Sequence, residues 1–370
     1  MKTHFEDQLS WTRRHMPRLR RSLSYLPDLS GMRLACSMHI DLKIIPLIEG
    51  ILARNAQVFL TTCNPTTVRD EVVNYLHGQG VDVQAWLNMP LESLSKAFSA
   101  ALDWMPTHLC EFGADLTATY IQREQAHPTI KASLEGTSSG IIRLRRLSLP
   151  YPVFNWNDLP IKEDLHNRHM VGLTTWLMFY NRTQLSLHGK HVLIIGYGSV
   201  GQGVALAARS FGGSVTIVER NPGRALQATF DGWPVRSLEE SLPFSDVVVT
   251  ATGSPKVLDS SQFSILRDGA FLLNIGHQPD EINVPSLRVY PHKQVLPYVE
   301  EFNLRGRLIY LIAGGSMANL TAGPGDSLNA FDVTLAVLAS GISYINGPGD
   351  EWTPGLHLLP NQAWENCLNE

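Results

Sequence analysis

The stretch LIIGYGSVGQG (193–203) is the clearest indication of the fold in this 370-residue chain. It reads as the end of a hydrophobic strand that runs into a G-x-G-x-x-G loop, which in turn opens a helix. In this pattern Gly196 permits a tight turn, Gly198 lets the backbone approach a pyrophosphate, and Gly201 lets the helix pack close to the strand. The stretch therefore predicts a dinucleotide-binding strand–loop–helix unit.

The residues around this loop indicate which dinucleotide it binds. The predicted helix places the backbone amides of Ser199 and Val200 at its amino end, where they can donate to phosphates. Glu219 ends the next predicted strand, 18 residues after the last glycine of the motif, where an acid binds the adenosine ribose hydroxyls. Arg220 and Arg224 are of the type that holds the 2′-phosphate of NADP, so NADP is the alternative. We predict NAD.

Strand and helix patterns alternate on both sides of this loop, which predicts parallel sheets. In the first half, the gaps between strands can hold helices, for example at 41–54 and 66–79. The strand candidates of the first half are 32–38, 57–63, 81–86 and 108–113. Those of the second unit are 190–196, 214–219, 246–253, 270–276 and 308–314.

The fold class is therefore predicted to be α/β, with two doubly wound parallel-sheet domains. A Rossmann NAD domain at 173–322 is expected to be inserted in a substrate domain. The substrate domain is expected to comprise 1–172 and a return segment at 323–370.

Composition narrows the class of partner. The chain is 44% hydrophobic and carries a net charge of −4, which gives no indication of nucleic-acid binding. No apolar run approaches the roughly 20 residues needed to span a membrane, and the N-terminus lacks a signal-peptide core. The four cysteines have no metal-ligand spacing and are expected to be reduced. We predict a cytoplasmic protein that acts on a small molecule, without a nucleic-acid or membrane partner.

The polar stretch NDLPIKEDLHN (157–167) precedes the glycine loop. It is too polar and irregular for a core helix, and Pro160 argues against a helix through its first half. The stretch is either a solvated linker or a catalytic strip.

The chain resembles the S-adenosylhomocysteine hydrolase (adenosylhomocysteinase) family across most of its length. The blocks that carry this resemblance occur in the family's order: HMPRL, CNPTTVRDEVVNYLHGQGVDVQAW, EGTSSG, VFNWNDLPIKEDLHN, HVLIIGYGSVGQG, VERNP, VVVTATG, LLNIGHQPDEIN and TPGLHLLP. The resemblance implies an NAD-dependent enzyme in which bound NAD transiently oxidises a ribose hydroxyl, a thiol is eliminated, water adds, and the ketone is reduced back. Such chemistry needs proton acceptors at the hydroxyl and at the neighbouring C–H.

The resemblance also implies site residues. On the NAD side it matches the glycine loop and the following positions: Glu219, Asn221, Thr252, Ile275, Gly276 and Asn319, together with the hydroxyl-bearing turn Thr137, Ser138 and Ser139. On the catalytic side it matches Lys162 to the family's lysine and Asn157 and Asn167 to its asparagines. His39 and His277 match its histidines.

The substrate side departs from the family. Acids of the family are replaced by Phe112, Gly136 and His166, and its cysteine by Val171. The threonine and glutamate that hold adenosine in the family correspond to Asp41 and Lys43. Asp326 stands near the place of a late histidine that caps the adenine. Glu111 and Asp115 are candidates for a displaced acid, and Lys43, Arg143 and Arg145 either bind an anionic group or lie on exposed helix faces.

His166 is predicted to be a proton carrier in place of the family's acid. With His169 it forms an H-x-x-H pair that could suggest a metal, but no third ligand is assigned, and we predict no metal site.

These observations leave three hypotheses for the function of the protein. The first is an enzyme of this family that oxidises a secondary hydroxyl of a nucleoside- or sugar-like substrate other than S-adenosylhomocysteine, either transiently or as a net oxidation. The alternatives are S-adenosylhomocysteine hydrolysis with relocated acids and a catalytically silent NAD-bound regulatory subunit. The family's C-terminal arm is expected to be missing, so that a dimer is predicted rather than a tetramer.

Overall fold

The computed structural model describes residues 4–123, 129–348 and 352–368. The chain divides into two compact units. Unit 1 comprises 1–162 and 328–370, and unit 2 comprises 163–327. The second unit is therefore an insertion in the first. It begins after Lys162 and ends at Ser327, whereas the sequence predicted that it begins after 172 and ends at 322.

Unit 1 is built on a seven-stranded sheet with the order β14-β6-β5-β4-β1-β2-β3, in which every pair is parallel. Its strands are β1 Arg33–Ser37, β2 Gln57–Thr61, β3 Asp82–Gln84, β4 His108–Glu111, β5 Ala132–Glu135, β6 Pro152–Asn155 and β14 Gly355–Leu358. Its helices are α1 His4–Arg14, α2 Pro17–Ser24, α3 Ile45–Leu52, α4 Asp70–Gly78, α5 Leu91–Asp103, α6 Asp115–Gln122, α7 Ser138–Leu144, α15 Leu328–Ile345 and α16 Asn361–Trp364. Short 3₁₀ turns lie at Leu42–Ile44, Pro65–Thr67 and Glu365–Cys367.

Helix α15 ties the return segment into the core of unit 1. Asp332 on this helix accepts a hydrogen bond from the backbone amide of Leu19 at 2.9 Å. Ser22 donates to the carbonyl of Ala336 at 3.0 Å. The helix is long and apolar enough to cross a membrane by length and composition alone, but 61% of it is buried inside the protein. It serves here as a core helix.

Unit 2 is built on a second seven-stranded sheet with the order β11-β12-β13-β10-β9-β7-β8. Its strands are β7 His191–Ile195, β8 Ser214–Val218, β9 Val247–Thr250, β10 Ala270–Asn274, β11 His292–Leu296, β12 Val299–Leu304 and β13 Arg307–Ile312. Its helices are α8 Val171–Thr183, α9 Ser199–Ser210, α10 Pro222–Phe230, α11 Leu238–Ser241, α12 Ser260–Phe263, α13 Val284–Leu287 and α14 Ala318–Thr321, with 3₁₀ turns at Leu242–Phe244 and Ala313–Gly315.

The sheet of unit 2 is parallel over its five strands from β13 to β8, which confirms the α/β, mainly parallel class. β11 and β12 add an antiparallel edge that the sequence analysis did not predict. The reason is visible in β11, whose residues are all exposed and so leave no hydrophobic alternation to detect.

The prediction of an irregular strip at 157–167 holds for 157–159, which are not helical, but was wrong from 161 onward. A π-helix, Ile161–Met170, begins directly after Pro160 and continues into α8. Proline is compatible with this position because the amides of a first helical turn have no partner within the helix. Lys162, His166 and Asn167 therefore lie on a helix and not in a loop.

Candidate functional site

The glycine loop of unit 2 has the geometry that the sequence predicted. Gly196 adopts φ +99°, and a Cβ there would lie 2.6 Å from the carbonyl oxygen of Ala251. A Cβ at Gly201 would lie 2.9 Å from the carbonyl carbon of Gly196 and still closer to its oxygen. Neither position accepts a side chain without moving the backbone between β7 and α9.

Gly198 differs because the space around it is open. A Cβ there would meet only Nη1 of Arg224, at 3.7 Å. The loop thus leaves room directly before α9, whose first residues are Ser199 and Val200. An open backbone surface at the amino end of a 12-residue helix fits a pyrophosphate group.

Glu219 lies after β8 and is held by two backbone amides. Its carboxylate accepts from the amide of Tyr197 and from that of Asn221, each at 2.7 Å. A carboxylate has acceptor capacity beyond these two bonds, so it can also accept from ribose hydroxyls, and its charge repels a 2′-phosphate. The side chain of Asn221 caps α10 by accepting from the amide of Arg224 at 3.1 Å.

The ends of β9 and β10 carry the predicted residues Thr252, Ile275 and Gly276. Buried Glu281 accepts from Thr252 through its amide at 2.9 Å and its hydroxyl at 2.7 Å. Asn274 accepts from the amide of Gly276 at 2.9 Å. A Cβ at Gly276 would lie 2.7 Å from the carboxyl carbon of Glu281. Burial raises the pKa of Glu281. The sequence analysis missed both Asn274 and Glu281 as supports of these turns.

Asn319, on α14, is 1% exposed, and its Oδ1 has no hydrogen-bond partner among the described residues. A buried amide oxygen without a partner is costly, which points to a donor that a ligand supplies. The carboxamide of nicotinamide is such a donor. His277 follows Gly276 and is half-buried.

These features define unit 2 as a Rossmann unit whose residues fit NAD from the pyrophosphate to the carboxamide. The glycine loop, Glu219 and Asn319 are the parts that would hold the cofactor.

The helix at 161–170, called the helical strip below, packs tightly against α9. A Cβ at Gly203 of α9 would lie 2.6 Å from the carbonyl carbon of Arg168 and still closer to its oxygen. His166 is buried, and its Nε2 lies 2.8 Å from Oδ2 of Asp326. Asn167 is half-buried, whereas His169 is exposed.

In unit 1, Lys162 is half-buried, with its Nζ 5.8 Å from the ring centroid of Trp156. Asn157 is 2% exposed and donates to Ser138 Oγ at 3.1 Å. Thr137 caps α7 by accepting from the amide of Gly140 at 3.0 Å.

The third member of the hydroxyl turn, Ser139, lies 3.3 Å from Thr137 through their oxygens. In unit 1, Asn157 is thus hydrogen-bonded to the turn formed by Thr137, Ser138 and Ser139. His39 follows β1, and its Nδ1 lies 2.9 Å from Thr67 Oγ1 and 3.6 Å from Cys63 Sγ.

Two aromatic rings of unit 1 lie at or against positions 112 and 136, where the resemblance implies acids in the family. A Cβ at Gly136 would lie 2.5 Å from the indole of Trp156 and 2.9 Å from the ring of Phe112. The two rings meet edge to face with centroids 5.7 Å apart. Phe112 and Trp156 therefore leave no room for a side chain at position 136.

Glu111 and Asp115, the candidates for a displaced acid, are both held by protein donors in unit 1. The Glu111 carboxylate accepts from the amide of Leu116 at 2.7 Å and from the hydroxyl of Thr117, and burial raises its pKa to about 7. Asp115 is paired with Arg143 at 2.6 Å, and burial raises its pKa.

The positively charged candidates of unit 1 are also paired. Arg145 lies 3.4 Å from Asp158. Lys43 is not on an exposed helix face as one reading proposed: it is 8% exposed, and its Nζ lies 2.6 Å from Oδ2 of Asp41 and 5.1 Å from the ring centroid of Phe331.

Comparison with known proteins gives the family. The model of the S-adenosyl-L-homocysteine hydrolase family matches residues 7–159, and the model of its NAD-binding domain matches residues 178–325. The chain belongs to the S-adenosyl-L-homocysteine hydrolase family, and its cofactor is NAD.

Relatives with two different names match nearly the whole chain. An adenosylhomocysteinase of Thermococcus kodakarensis is 32% identical over 97% of this chain and 88% of its own length. One from Aeropyrum pernix is 34% identical, with coverages of 92% and 84%. An S-inosyl-L-homocysteine hydrolase of Methanococcus maripaludis is 32% identical, with coverages of 91% and 84%. The chain is thus an NAD-dependent enzyme of a hydrolase family.

Proposed function

We propose that this enzyme hydrolyses the thioether of an S-nucleosyl homocysteine and that it prefers a base of the 6-oxopurine type. The reaction class is supported by the family and by an NAD unit whose glycine loop, Glu219 and Asn319 all fit the cofactor. NAD, when bound, supplies the transient oxidation of a sugar hydroxyl. The observation that carries the base preference is the buried pair of Lys43 and Asp41.

This pair offers one donor and one acceptor side by side. The ammonium of Lys43 and the carboxylate of Asp41 are 10% and 18% exposed, so the pair is largely removed from water. By the resemblance, a glutamate stands at position 43 in the family and holds adenosine, and a carboxylate can only accept, for example from an amino group. An ammonium can only donate, and it therefore requires an acceptor, such as a carbonyl oxygen, in the place of an amino group.

A 6-oxopurine meets both requirements. Its carbonyl oxygen accepts from Lys43, and its neighbouring N–H donates to Asp41. Inosine carries such a base, and relatives named S-inosyl-L-homocysteine hydrolases are about as similar to this chain as those named adenosylhomocysteinases, at 30–32% against 30–34% identity.

The chain's own groups would move the protons. Lys162, on the first turn of the helix at 161–170, takes up the proton of the hydroxyl that is oxidised. His277 and His39 are the histidines proposed to accept and return the proton of the neighbouring C–H. Asn157 and Asn167 hold substrate hydroxyls through their amides.

The test compares thiol release from S-inosyl-L-homocysteine and S-adenosyl-L-homocysteine by the purified enzyme. We expect kcat/KM to favour the inosyl compound by about tenfold or more, because a site built to hydrogen-bond one group rejects a mismatched one. Lys43→Glu should shift the preference towards the adenosyl compound. The matched control is Lys96→Glu, which changes an exposed lysine of the same unit and should leave the ratio unchanged.

The same assay decides between this proposal and a second candidate. S-adenosylhomocysteine hydrolysis is favoured by the adenosylhomocysteinase relatives, and a higher kcat/KM for the adenosyl compound would establish it in place of the 6-oxopurine proposal. If reduced nicotinamide accumulates and no thiol appears with either compound, the enzyme carries out net oxidation and the hydrolase proposal is wrong.

A further inference from the structure

A buried carboxylate, Asp326, connects three elements of unit 2. Its Oδ2 lies 2.8 Å from Nε2 of His166 on the helical strip, and the two side chains are 7% and 3% exposed. Its Oδ1 accepts from Thr174 Oγ1 on α8 at 2.9 Å and from Nδ2 of Asn319 on α14 at 3.4 Å. One acidic side chain thus contacts the proposed proton carrier and the residue that fits the nicotinamide carboxamide.

The contact with His166 fixes the form of its imidazole. An ionised carboxylate only accepts hydrogen bonds, so Nε2 must carry a proton. The ring therefore gains or loses its exchangeable proton at Nδ1. A carboxylate that holds one nitrogen of a histidine in this way selects the tautomer and orientation with which the ring acts.

The contact with Asn319 fixes the orientation of its amide. Because Asp326 accepts only, the NH₂ group of Asn319 faces it, and the amide oxygen faces away. This oxygen is the buried acceptor that has no partner among the described residues. A reversed amide would present NH₂ to the nicotinamide carboxamide's own NH₂ group.

We propose that Asp326 is a positioning residue that sets both the tautomer of His166 and the amide orientation of Asn319. Proton transfer by His166 and the seating of the nicotinamide are thereby coupled through one carboxylate. The catalytic part of this inference rests on the proposed function, but the tautomer and amide parts do not.

Compared with the family, the acid and the histidine of this pair stand at exchanged positions, and this exchange can be tested. By the resemblance, the family carries an acid at the position of His166 and a histidine near that of Asp326. If the two groups work as a pair, exchanging both should preserve it, whereas changing one should destroy it. His166→Asp alone would bring two buried carboxylates together, which is strongly unfavourable.

The experiment uses the full-length chain and four variants. They are Asp326→Asn, His166→Asp, the double exchange of His166→Asp with Asp326→His, and the control Asp246→Asn, which removes a carboxylate paired with Arg267 elsewhere in unit 2. The readouts that need no substrate are the ¹⁵N NMR signals of His166, the Kd for NAD and the melting temperature. The pH profile of kcat for thiol release is the fourth readout.

We expect Asp326→Asn to shift the His166 signals away from the Nε2–H tautomer and to weaken NAD binding by about tenfold. We expect kcat to fall by about 100-fold with an altered pH profile, which is the lower range for loss of acid–base function. His166→Asp should lower the melting temperature and kcat, and the double exchange should recover both. Asp246→Asn should change neither the NMR signals nor the Kd.

Two results would overturn the proposal. One is an Asp326→Asn variant with unchanged His166 signals and unchanged NAD affinity. The other is a double exchange that is no better than His166→Asp in stability and NAD binding. If the substrate-free readouts behave as expected but no variant, nor the parent enzyme, releases thiol, the proposed function fails while the positioning role stands.

Discussion

The packing of Gly203 against Arg168 makes the substitution Gly203→Ala a direct test of how the strip is held. The new Cβ would lie 2.6 Å from the Arg168 carbonyl carbon, where ordinary van der Waals contact begins at 3.4 Å. The strip or α9 must then move by roughly 1 Å, and overpacking of this kind costs about 1–3 kcal/mol. Alanine in a helix returns up to about 1 kcal/mol relative to glycine. Because the Cβ would lie even closer to the Arg168 oxygen than to its carbon, we take the upper part of the overpacking range, about 2–3 kcal/mol, and the net loss in the free energy of unfolding is then about 1–2 kcal/mol.

This loss should lower the melting temperature by about 2–8 °C, at about 2–4 °C per kcal/mol for a unit of this size. Thermal denaturation followed by circular dichroism measures it. The matched control is Gly78→Ala in α4, where a Cβ has no neighbour within 4 Å and the melting temperature should stay the same or rise. The strip carries His166, so kcat should fall with Gly203→Ala and not with the control. If Gly203→Ala were as stable and as active as the parent enzyme, the packing of α9 against Arg168 would not be what holds the strip.

Two further predictions concern charge burial and the cofactor loop. Burial raises the pKa of Glu135 to about 8 from 4.5, so the folded state keeps a proton that the unfolded state releases, and stability falls as the pH rises between these values. Glu135→Gln should make the slope of the unfolding free energy less negative by about 1.4 kcal/mol per pH unit between about pH 5.5 and 7, as urea titrations would measure; an unchanged slope would contradict the assignment. Gly198→Val should weaken NAD binding by about 10- to 100-fold through overpacking of about 1–3 kcal/mol, with little change in melting temperature, because its Cβ meets only Arg224 in the protein. Calorimetric titration with NAD that returned the parent's Kd would show that no phosphate approaches this position.

The glycine loop could be predicted because its requirements are local. Gly196 needs a backbone conformation that favours glycine, and Glu219 sits at a fixed distance along the chain from the loop. Residues that lie this close together along the chain can be recognised from the sequence without knowledge of the tertiary structure.

The support of the site could not be predicted in the same way. His166 and Asp326 are 160 positions apart, and no local pattern pairs them. Buried Glu281 reads in the sequence as one more acid in a polar loop, although it orders the turns after β9 and β10.

The packing at the substrate side could not be predicted either, because it depends on residues that are distant in the sequence. Phe112 and Gly136 are 24 positions apart in the sequence, yet a Cβ at Gly136 would lie against the rings of both Phe112 and Trp156. Strands β5 and β6 also escaped prediction, since buried strands of four residues containing Glu135 or Asn155 lack a clear hydrophobic run.

In the proposed function, NAD acts within a hydrolytic cycle and is not consumed. The most direct measurement counts homocysteine thiols released from S-inosyl-L-homocysteine per NAD bound to the purified enzyme, with no NAD added. We expect many thiols for each bound NAD, with NAD recovered in its oxidised form. Thiol release that is absent, or that stops at one per bound NAD, would contradict it.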